Sequence, residues 1–179
     1  MNIHSIKHLL FTISLAVITA NNVVADDIDP VTISHGYSFF GDLKYPANFE
    51  HLDYVNAKAP KGGEISQWGF GTFDSFNAYA RKGNSAALSS APYETILTSF
   101  ADDITSSYCY LCSTLEYPES RNWAIFNLRD DVTFSDGSTL SAEDVKFTFE
   151  LFMEQGIPSY RAAVSGMVKS IEVIDRFTV

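Results

Sequence analysis

Carboxylates crowd one stretch of the chain and are the side chains best placed to do chemistry. They are Asp130, Asp131, Asp136, Glu143 and Asp144. A pair of carboxylates can cleave a glycoside, one as the acid and the other as nucleophile or base. Local structure explains the same residues, because Asp136 lies in a turn sequence and Glu143 and Asp144 open a predicted helix, whose dipole favours anions. Structural acids are the preferred interpretation, and a secreted glycoside hydrolase that uses the Asp130–Asp144 carboxylates is the alternative.

The two cysteines form the sequence Cys109-Tyr-Leu-Cys112, which can mark a redox dithiol or half of a zinc site. Neither role has support, since no second cysteine pair exists and only His35 and His51 follow the N-terminal segment. The pair forms either a local disulfide or two small buried residues. No Gly-x-Ser-x-Gly elbow, calcium loop or phosphate loop is present. We therefore expect no catalytic residue, no metal and no cofactor.

The composition describes an acidic protein with a large apolar fraction. The 179 residues include 12 Lys and Arg against 22 Asp and Glu, a formal charge of −10, and 46% are hydrophobic, with 14 Phe, 9 Tyr and 2 Trp. Such a chain can fill a core and is not intrinsically disordered. Nucleic acid is an improbable partner on charge grounds, because binding to phosphates needs clustered Lys and Arg.

The N-terminus has the pattern of an export signal. Lys7 precedes the uncharged run from Leu9 to Ala20, which is shorter than the roughly 20 residues of a membrane-spanning helix. Small residues at Val23-Val24-Ala25 fit a cleavage site, so Met1 to Ala25 is predicted to be a signal peptide. No cysteine follows for a lipid anchor. A soluble periplasmic protein is the expectation.

The first part of the mature chain is predicted to be an irregular arm, residues 26–63, that wraps a domain surface. Its aromatic residues would anchor it: Tyr37, Phe39, Phe40, Tyr45, Phe49 and Tyr54. A short strand is expected from Glu64 to Trp68. The segment from Gly69 to Asn77 then carries three Phe residues and two glycines, which suits either ligand contact or a packed core loop.

Helices and hairpins follow in the prediction. Ser85 to Phe100 is expected to be helical in two pieces. The segments 115–118 and 122–129 form a hairpin, whose second strand is apolar on both faces and so favours a layered α/β fold. After a turn at 135–138, Ser141 and Asp144 cap a helix that runs to about residue 155 and ends at Gly156.

The chain ends in a second predicted hairpin, formed by Val168 to Ile174 and Phe177 to Val179 around Asp175-Arg176. A native terminus in the middle of a strand would expose an apolar edge. We therefore expect the 179 residues to be an N-terminal fragment of a longer protein.

Two motifs carry a family resemblance. Residues 126–137, Phe-Asn-Leu-Arg-Asp-Asp-Val-Thr-Phe-Ser-Asp-Gly, and residues 140–145, Leu-Ser-Ala-Glu-Asp-Val, closely resemble the signature of bacterial extracellular solute-binding proteins of family 5. Upstream, Tyr93 to Leu97 is similar to the helix that precedes the hairpin in that family. These proteins are the peptide, oligopeptide and nickel receptors of ABC importers.

The arm resembles one branch of this family more narrowly, the Yej-type receptors for oligopeptides and microcin C-like peptide-nucleotides. Its motifs include His35-Gly36-Tyr37, Ala59 to Gly63 and Gly71 to Asn77. The resemblance covers essentially the whole mature segment. One departure is the Cys109 to Cys112 segment, where the relatives have glycine and leucine without cysteines.

The resemblance implies an α/β fold of the periplasmic-binding-protein type, type II and of the large peptide-binding class. The chain would hold the start of lobe one and most of the accessory domain. The predicted division is a signal peptide over 1–25, the arm and first strand of lobe one over 26–84, the accessory segment over 85–165, and a return into lobe one over 166–179.

The implied function is that of a monomeric, non-enzymatic receptor that passes an oligopeptide to ABC permease subunits in the inner membrane. Within the chain, the resemblance assigns ligand contact to Phe70, Gly71, Thr72, Phe73 and Tyr160. An oligosaccharide, a metal chelate or haem stays open as the ligand, because the predicted second lobe lies outside this chain.

Overall fold

The structure is a computed structural model and describes residues 29–179, so the predicted signal peptide lies outside the described residues. Six strands and two helices follow one another along the chain. They are β1 (Val31–Ser34), β2 (Gly36–Ser38), β3 (Leu97–Phe100), β4 (Asp103–Cys109), β5 (Cys112–Pro118), β6 (Ile125–Leu128), α1 (Ala142–Gln155) and α2 (Pro158–Ser165). The strands form two antiparallel sheets, ordered β1-β5-β6 and β2-β4-β3.

A single chain segment, residues 103–118, supplies the central strand of both sheets, because β4 and β5 follow each other directly. Ser34 lies opposite Leu115, whereas Gly36, only two residues later, lies opposite Tyr108. Between these two pairs, the central segment is therefore five residues longer than the arm opposite it. Its extra residues must leave the strand pairing at this point. The Cys109–Cys112 disulfide lies in this excursion, which confirms a local disulfide as the fate of the cysteine pair.

An aromatic cluster fixes the arm on the β2-β4-β3 sheet. The Tyr108 side chain, 1% exposed, stacks on Phe100 with ring centroids 4.8 Å apart. Tyr45 and Phe49 of the arm pack edge-on or tilted against the same rings. The Tyr108 hydroxyl accepts a hydrogen bond from the backbone N–H of Tyr45 at 3.2 Å and donates one to Asp103. Burying the rings while pairing the hydroxyl satisfies both parts of the tyrosine side chain.

A network of hydrogen-bonded polar and charged side chains lies at the edge of this cluster. Lys44 Nζ lies 2.5 Å from the Asp102 carboxylate and 3.0 Å from that of Asp53, and the Tyr45 hydroxyl donates to Asp102 at 2.5 Å. Hydrogen bonds from Lys44 and Tyr45 lower the pKa of Asp102. The hydrogen bond from Tyr108 likewise lowers the pKa of Asp103. The charged form of Asp102 is therefore stabilised by the folded arm, and that of Asp103 by Tyr108 of β4.

A second core lies where the end of the chain meets β6 and α1. Its buried members are Leu128, Ala142 and Val179, with Phe126, Val145, Ile171, Val173 and Phe177 packed around them. Backbone hydrogen bonds join Phe126 to Val179 in both directions, and Ala142 donates to Arg176 at 2.8 Å. The last residues thus extend the β1-β5-β6 sheet and hold the start of α1.

The N-terminus of α1 follows the prediction. The Asp144 carboxylate accepts hydrogen bonds from the backbone N–H and the hydroxyl of Ser141, at 2.9 and 2.7 Å. The helix ends at Gly156, as predicted, with its N–H bonded to the carbonyl of Phe152. The β5–β6 hairpin and the tight turn at 135–138 are also confirmed.

Two predicted elements between residues 64 and 100 are wrong. The Glu64 to Trp68 segment is not a strand, because no segment within residues 29–179 pairs with it, and the Trp68 side chain is 84% exposed. The Ser85 to Phe100 segment is not helical: turns occupy its first part, Leu88 takes a left-handed φ of 62°, and β3 pairs with β4. Tyr93 to Leu97, likened to a family helix, accordingly contains no helix here.

Smaller corrections concern the edges of the fold. The arm is not wholly irregular, since it supplies β1 and β2, and its rings at Phe39, Phe40 and Tyr54 are exposed instead of anchoring it. Helix α2 was not predicted, and residues 168–174 form no strand. Trp123 is exposed and lies before β6, which begins only at Ile125 and whose residues are half-buried or buried. Among residues 29–179, no helix combines the length and apolarity needed to cross a membrane.

The polar network predicts an acid-sensitive arm. The pKa of Asp102 is lowered in the folded state, so its contribution is complete above the ordinary carboxyl value of about 4. It is lost as pH falls through the lowered pKa. We expect hydrogen-exchange protection of residues 44–53 to hold from about pH 7 to 5 and to fall below about pH 4.

The Asp102→Asn variant should already show reduced protection of the arm at pH 7, with a shallower loss in acid. Asp130→Asn is the control, because it removes the charge of an exposed carboxylate far along the chain from the arm. Equal protection in the two variants would contradict the role of Asp102.

The disulfide predicts a second local effect. Closing so short a loop stabilises the chain by about 2 kcal/mol in the chain-entropy estimate. We expect the Cys109→Ser, Cys112→Ser double variant to raise exchange in β2 and β4, where the excursion begins, and to leave the core at Ala142 and Val179 unchanged. Unaltered exchange in β2 and β4 would show that the disulfide does not hold the register.

Candidate functional site

The predicted contact segment is an exposed aromatic stretch. Phe70 is 92% exposed, and the Trp68 and Phe70 ring centroids lie 5.9 Å apart. Phe73 and Phe76 form a second pair of rings at 5.1 Å. Gly71, between the two pairs, has a φ of +90° and open space around its Cα. Within the described residues these rings are therefore exposed and pack into neither of the two cores.

The backbone of this stretch is as open as its side chains. Within the described part of the chain, residues 62–73 make no hydrogen bond through a backbone N–H or carbonyl. They also pair with no strand. A run of unpaired backbone groups on the surface can accept an added extended chain.

A clasp holds the far end of the stretch. The Asp74 carboxylate accepts a hydrogen bond from the backbone N–H of Asn84 at 2.7 Å, and the Asp74 N–H donates to the Asn84 carbonyl at 3.1 Å. Ser75 bridges to Ser85. Gly83 has a φ of +87°, and a Cβ there would lie 2.4 Å from Asp74 Oδ1, so only glycine fits this close approach.

The fifth predicted contact residue, Tyr160, lies apart from this stretch, in the first turn of α2. Its ring centroid is 5.7 Å from that of Phe152, which in turn lies 5.1 Å from that of Tyr79. These rings border a cleft of about 190 Å³. The lining residues are Ala78, Tyr79, Ala80, Phe152, Gly156, Ile157 and Tyr160.

The structure therefore brings Tyr160 together with the segment that follows the aromatic stretch, and not with residues 70–73. Sequence reasoning missed Tyr79 and Phe152 as members of this cleft. The short interval between Gly156, which ends α1, and Pro158, which begins α2, was an available signal. It keeps Tyr160 close in sequence to the last turn of α1. Nothing in the sequence around Tyr79 indicated its neighbours.

The carboxylates of residues 130–144 are all accounted for by local structure or exposure. Arg129 holds Asp131 through two hydrogen bonds of 2.9 and 2.8 Å, which lowers the pKa of that carboxyl. Hydrogen bonds from the hydroxyl and N–H of Ser138 lower the pKa of Asp136. A glycosidase acid needs a raised pKa, so these two groups are tuned in the opposite direction.

No metal centre is found among residues 29–179, where no three His, Cys, Asp or Glu side chains are grouped to hold an ion. The His35 ring contacts the carbonyl oxygen of Tyr45 at 2.8 Å and faces Tyr108 at 5.9 Å. His51 bonds to the adjacent carbonyl of Leu52. Both histidines therefore have structural contacts in the arm.

Comparison with known proteins identifies relatives for most of the chain. Residues 113–179 match the family described as bacterial extracellular solute-binding proteins, family 5 Middle. The chain is 39% identical over 139 residues to "Uncharacterized protein YejA" of Escherichia coli K12, a match that spans 77% of this chain and 23% of the relative. It is 42% identical over 115 residues to "Probable peptide-binding protein YejA" of Agrobacterium fabrum, across 64% of this chain and 19% of the relative.

A third relative matches nearly the whole sequence. "Peptidoglycan-binding protein YepA" of Agrobacterium fabrum is 31% identical over 183 residues, which covers 98% of this chain and 29% of the relative. The chain thus spans between about a fifth and three tenths of these relatives' lengths. The family implies a periplasmic-binding-protein-like fold, with which the mixture of small sheets and helices agrees.

The family match falls on the β5–β6 hairpin, the capped helix and the closing segment, which are the parts that form the second core. The relatives extend the similarity through the arm. The chain is therefore similar to the bacterial extracellular solute-binding proteins of family 5 over residues 113–179, and to Yej-type proteins over most of its length.

Proposed function

We propose that this chain is part of a periplasmic receptor that binds oligopeptides and delivers them to the permease of an ABC importer. The observation that carries the proposal is the exposed stretch 62–73, whose backbone groups are unpaired within the described residues. A bound peptide would hydrogen-bond to this backbone as an added strand. A relative named as a probable peptide-binding protein supports the same ligand class.

The proposed contacts combine backbone and rings. Gly71 and Thr72 would offer N–H and carbonyl groups, while Phe70 and Phe73 cover the ligand's side chains. Main-chain recognition is independent of ligand sequence, and aromatic rings adapt to many apolar groups. The receptor would therefore accept peptides of varied sequence. Tyr160 would contribute from the separate cleft beside α2.

The proposed architecture is the type II periplasmic-binding-protein fold of the large peptide-binding class. Residues 26–84 would begin lobe one, 85–165 would belong to the accessory domain, and 166–179 would return to lobe one. Ligand capture would close the lobes about a hinge. We propose a monomer without catalytic activity, exported by the signal peptide at 1–25, with peptide-nucleotide conjugates as possible cargo.

A peptidoglycan fragment is a second candidate ligand, because one relative is named as peptidoglycan-binding. The stem of peptidoglycan is itself a short peptide, so the same backbone groups could pair with it. An oligosaccharide, a metal chelate or haem has no observation in its favour here. The glycoside hydrolase alternative has none either, given the lowered pKa values of Asp131 and Asp136.

Backbone recognition predicts a contrast between two variants at one position. In the full-length protein, Thr72→Pro removes an N–H, whereas Thr72→Ala removes only the side chain. We expect Thr72→Pro to weaken peptide binding by about tenfold, the value of one or two lost hydrogen bonds, and Thr72→Ala to change it little. Isothermal titration with a mixed tripeptide set and a muropeptide measures both. Equal affinities for the two variants would contradict backbone recognition, and no binding of any peptide would contradict the function.

The clasp predicts an indirect effect on the same titration. Asp74→Ala removes the acceptor of the Asn84 N–H and should loosen the stretch, raising the Kd about threefold while exchange of residues 72–77 increases. Asp42→Ala, an exposed change elsewhere on the arm, is the control. A Kd that stays constant despite faster exchange would show that the stretch does not touch the ligand.

A further inference from the structure

The cleft beside α2 has the size and lining of a pocket for one side chain. At about 190 Å³ it is smaller than the roughly 300–1,000 Å³ of cavities that enclose whole small ligands. Its walls are alanine, glycine, isoleucine and three aromatic rings. We call these seven lining residues, given above, the tyrosine cleft. An apolar or aromatic group would be favoured there, because rings pack well edge-on or offset.

Three separate chain segments form the tyrosine cleft. Residues 78–80 come from the end of the clasped loop, Phe152 from the last turn of α1, and Ile157 and Tyr160 from the start of α2. Two rings of the cleft are partly exposed, Tyr79 at 47% and Tyr160 at 36%. The rings are thus preorganised by mutual contacts and remain open to a ligand.

Positive charge lies directly beside this apolar cleft. Arg81 and Lys82 form a neighbouring surface hollow that shares Ala80 with it. Both side chains are exposed, and neither forms a salt bridge within the described residues. In a chain of net charge −10, two adjacent unpaired cations at the rim of an apolar cleft are a local departure from the overall acidity.

We propose that the tyrosine cleft receives the side chain of an apolar C-terminal residue of the bound peptide, with the terminal carboxylate beside Arg81 and Lys82. The proposal rests on the proposed peptide-binding function and assigns it a specificity site. A C-terminal residue is the one position of a peptide where an apolar side chain and a free carboxylate share the same Cα. An internal apolar residue would leave the two cations without an anionic partner.

Charge also selects against other occupants. A lysine or arginine side chain could stack on the rings of Tyr79 and Tyr160 as a cation. Arg81 and Lys82 would repel it, so the same rings favour a neutral group here. Arg161, beside Tyr160, donates to the carbonyl of Glu154 at 3.0 Å and adds a third positive charge to this end of α2.

The test compares three tripeptides with the full-length protein by isothermal titration: Ala-Ala-Phe, Ala-Ala-Ala, and Ala-Ala-Phe with its C-terminus amidated. We expect Ala-Ala-Phe to bind about tenfold more tightly than Ala-Ala-Ala, because burial of the ring adds to binding. Amidation should weaken binding about threefold to fivefold, as expected for an exposed ion pair, and this difference should shrink in high salt.

Variants connect these differences to the cleft. Tyr160→Ala should abolish the preference for Phe over Ala, and Ala80→Leu, which fills the cleft without removing a ring, should do the same. Arg81→Gln with Lys82→Gln should remove the effect of amidation and keep the preference for Phe. Lys58→Gln with Lys61→Gln is the matched control, since it also removes two cations and should alter neither difference.

The outcomes distinguish a failure of the cleft assignment from a failure of the proposed receptor function. If all three tripeptides bind equally, or if the preferences survive in both Tyr160→Ala and Ala80→Leu, the cleft assignment is overturned while peptide binding stands. If amidation has no effect, the C-terminal assignment is overturned. If no peptide binds, the receptor function and the cleft assignment fall together.

Discussion

The shared central segment is the constraint on which the described fold depends. Residues 103–118 serve as the middle strand of both sheets, and every other strand pairs with them. Because the arm pairs with both halves of this segment, the five extra residues must be accommodated between Tyr108 and Leu115. Three interactions hold that excursion in place. They are the disulfide, the hydrogen bond from the Cys109 N–H to the His35 carbonyl, and the hydrogen bond from Arg129 to the Tyr110 carbonyl. The register of the whole arm follows from it.

This arrangement separates the well-packed parts of the chain from the segment that we propose contacts a ligand. The arm is fixed by Tyr45 and Tyr108 in the aromatic cluster, and the end of the chain is fixed by Val179 on β6. Between these two cores, residues 62–73 carry rings and backbone groups without partners in the described chain. The clasp at Asp74 and Asn84 returns the chain to the fold, next to the cleft at Tyr160. Rigid elements thus flank an open contact surface, which is the arrangement that a binding protein needs.

Sequence reasoning succeeded where short-range chemistry decides the structure. The cap of α1 could be predicted because the Asp144 carboxylate bonds to Ser141, only three residues earlier. The turn at 135–138 could be predicted because it is formed by hydrogen bonds among neighbouring residues. It failed where pairing partners are distant. Ser85 to Phe100 has apolar residues at a spacing that suits a helix, yet its last four residues pair with β4 as a strand. Glu64 to Trp68 has a strand pattern but no partner among the described residues. The cleft illustrates the same limit, since Tyr79 and Tyr160 are 81 positions apart and meet only through the packing of Phe152.

The central claim is that this chain belongs to a receptor that carries peptides. Native mass spectrometry of the full-length protein, purified without denaturation from the periplasm of its source, tests this claim most directly, because it weighs the protein and any retained ligand together. The account predicts added masses that fragment into amino-acid residues, over a range of lengths. Added masses that fragment into sugars without amino-acid residues, or that correspond to haem or a metal chelate, would contradict the assignment of the ligand.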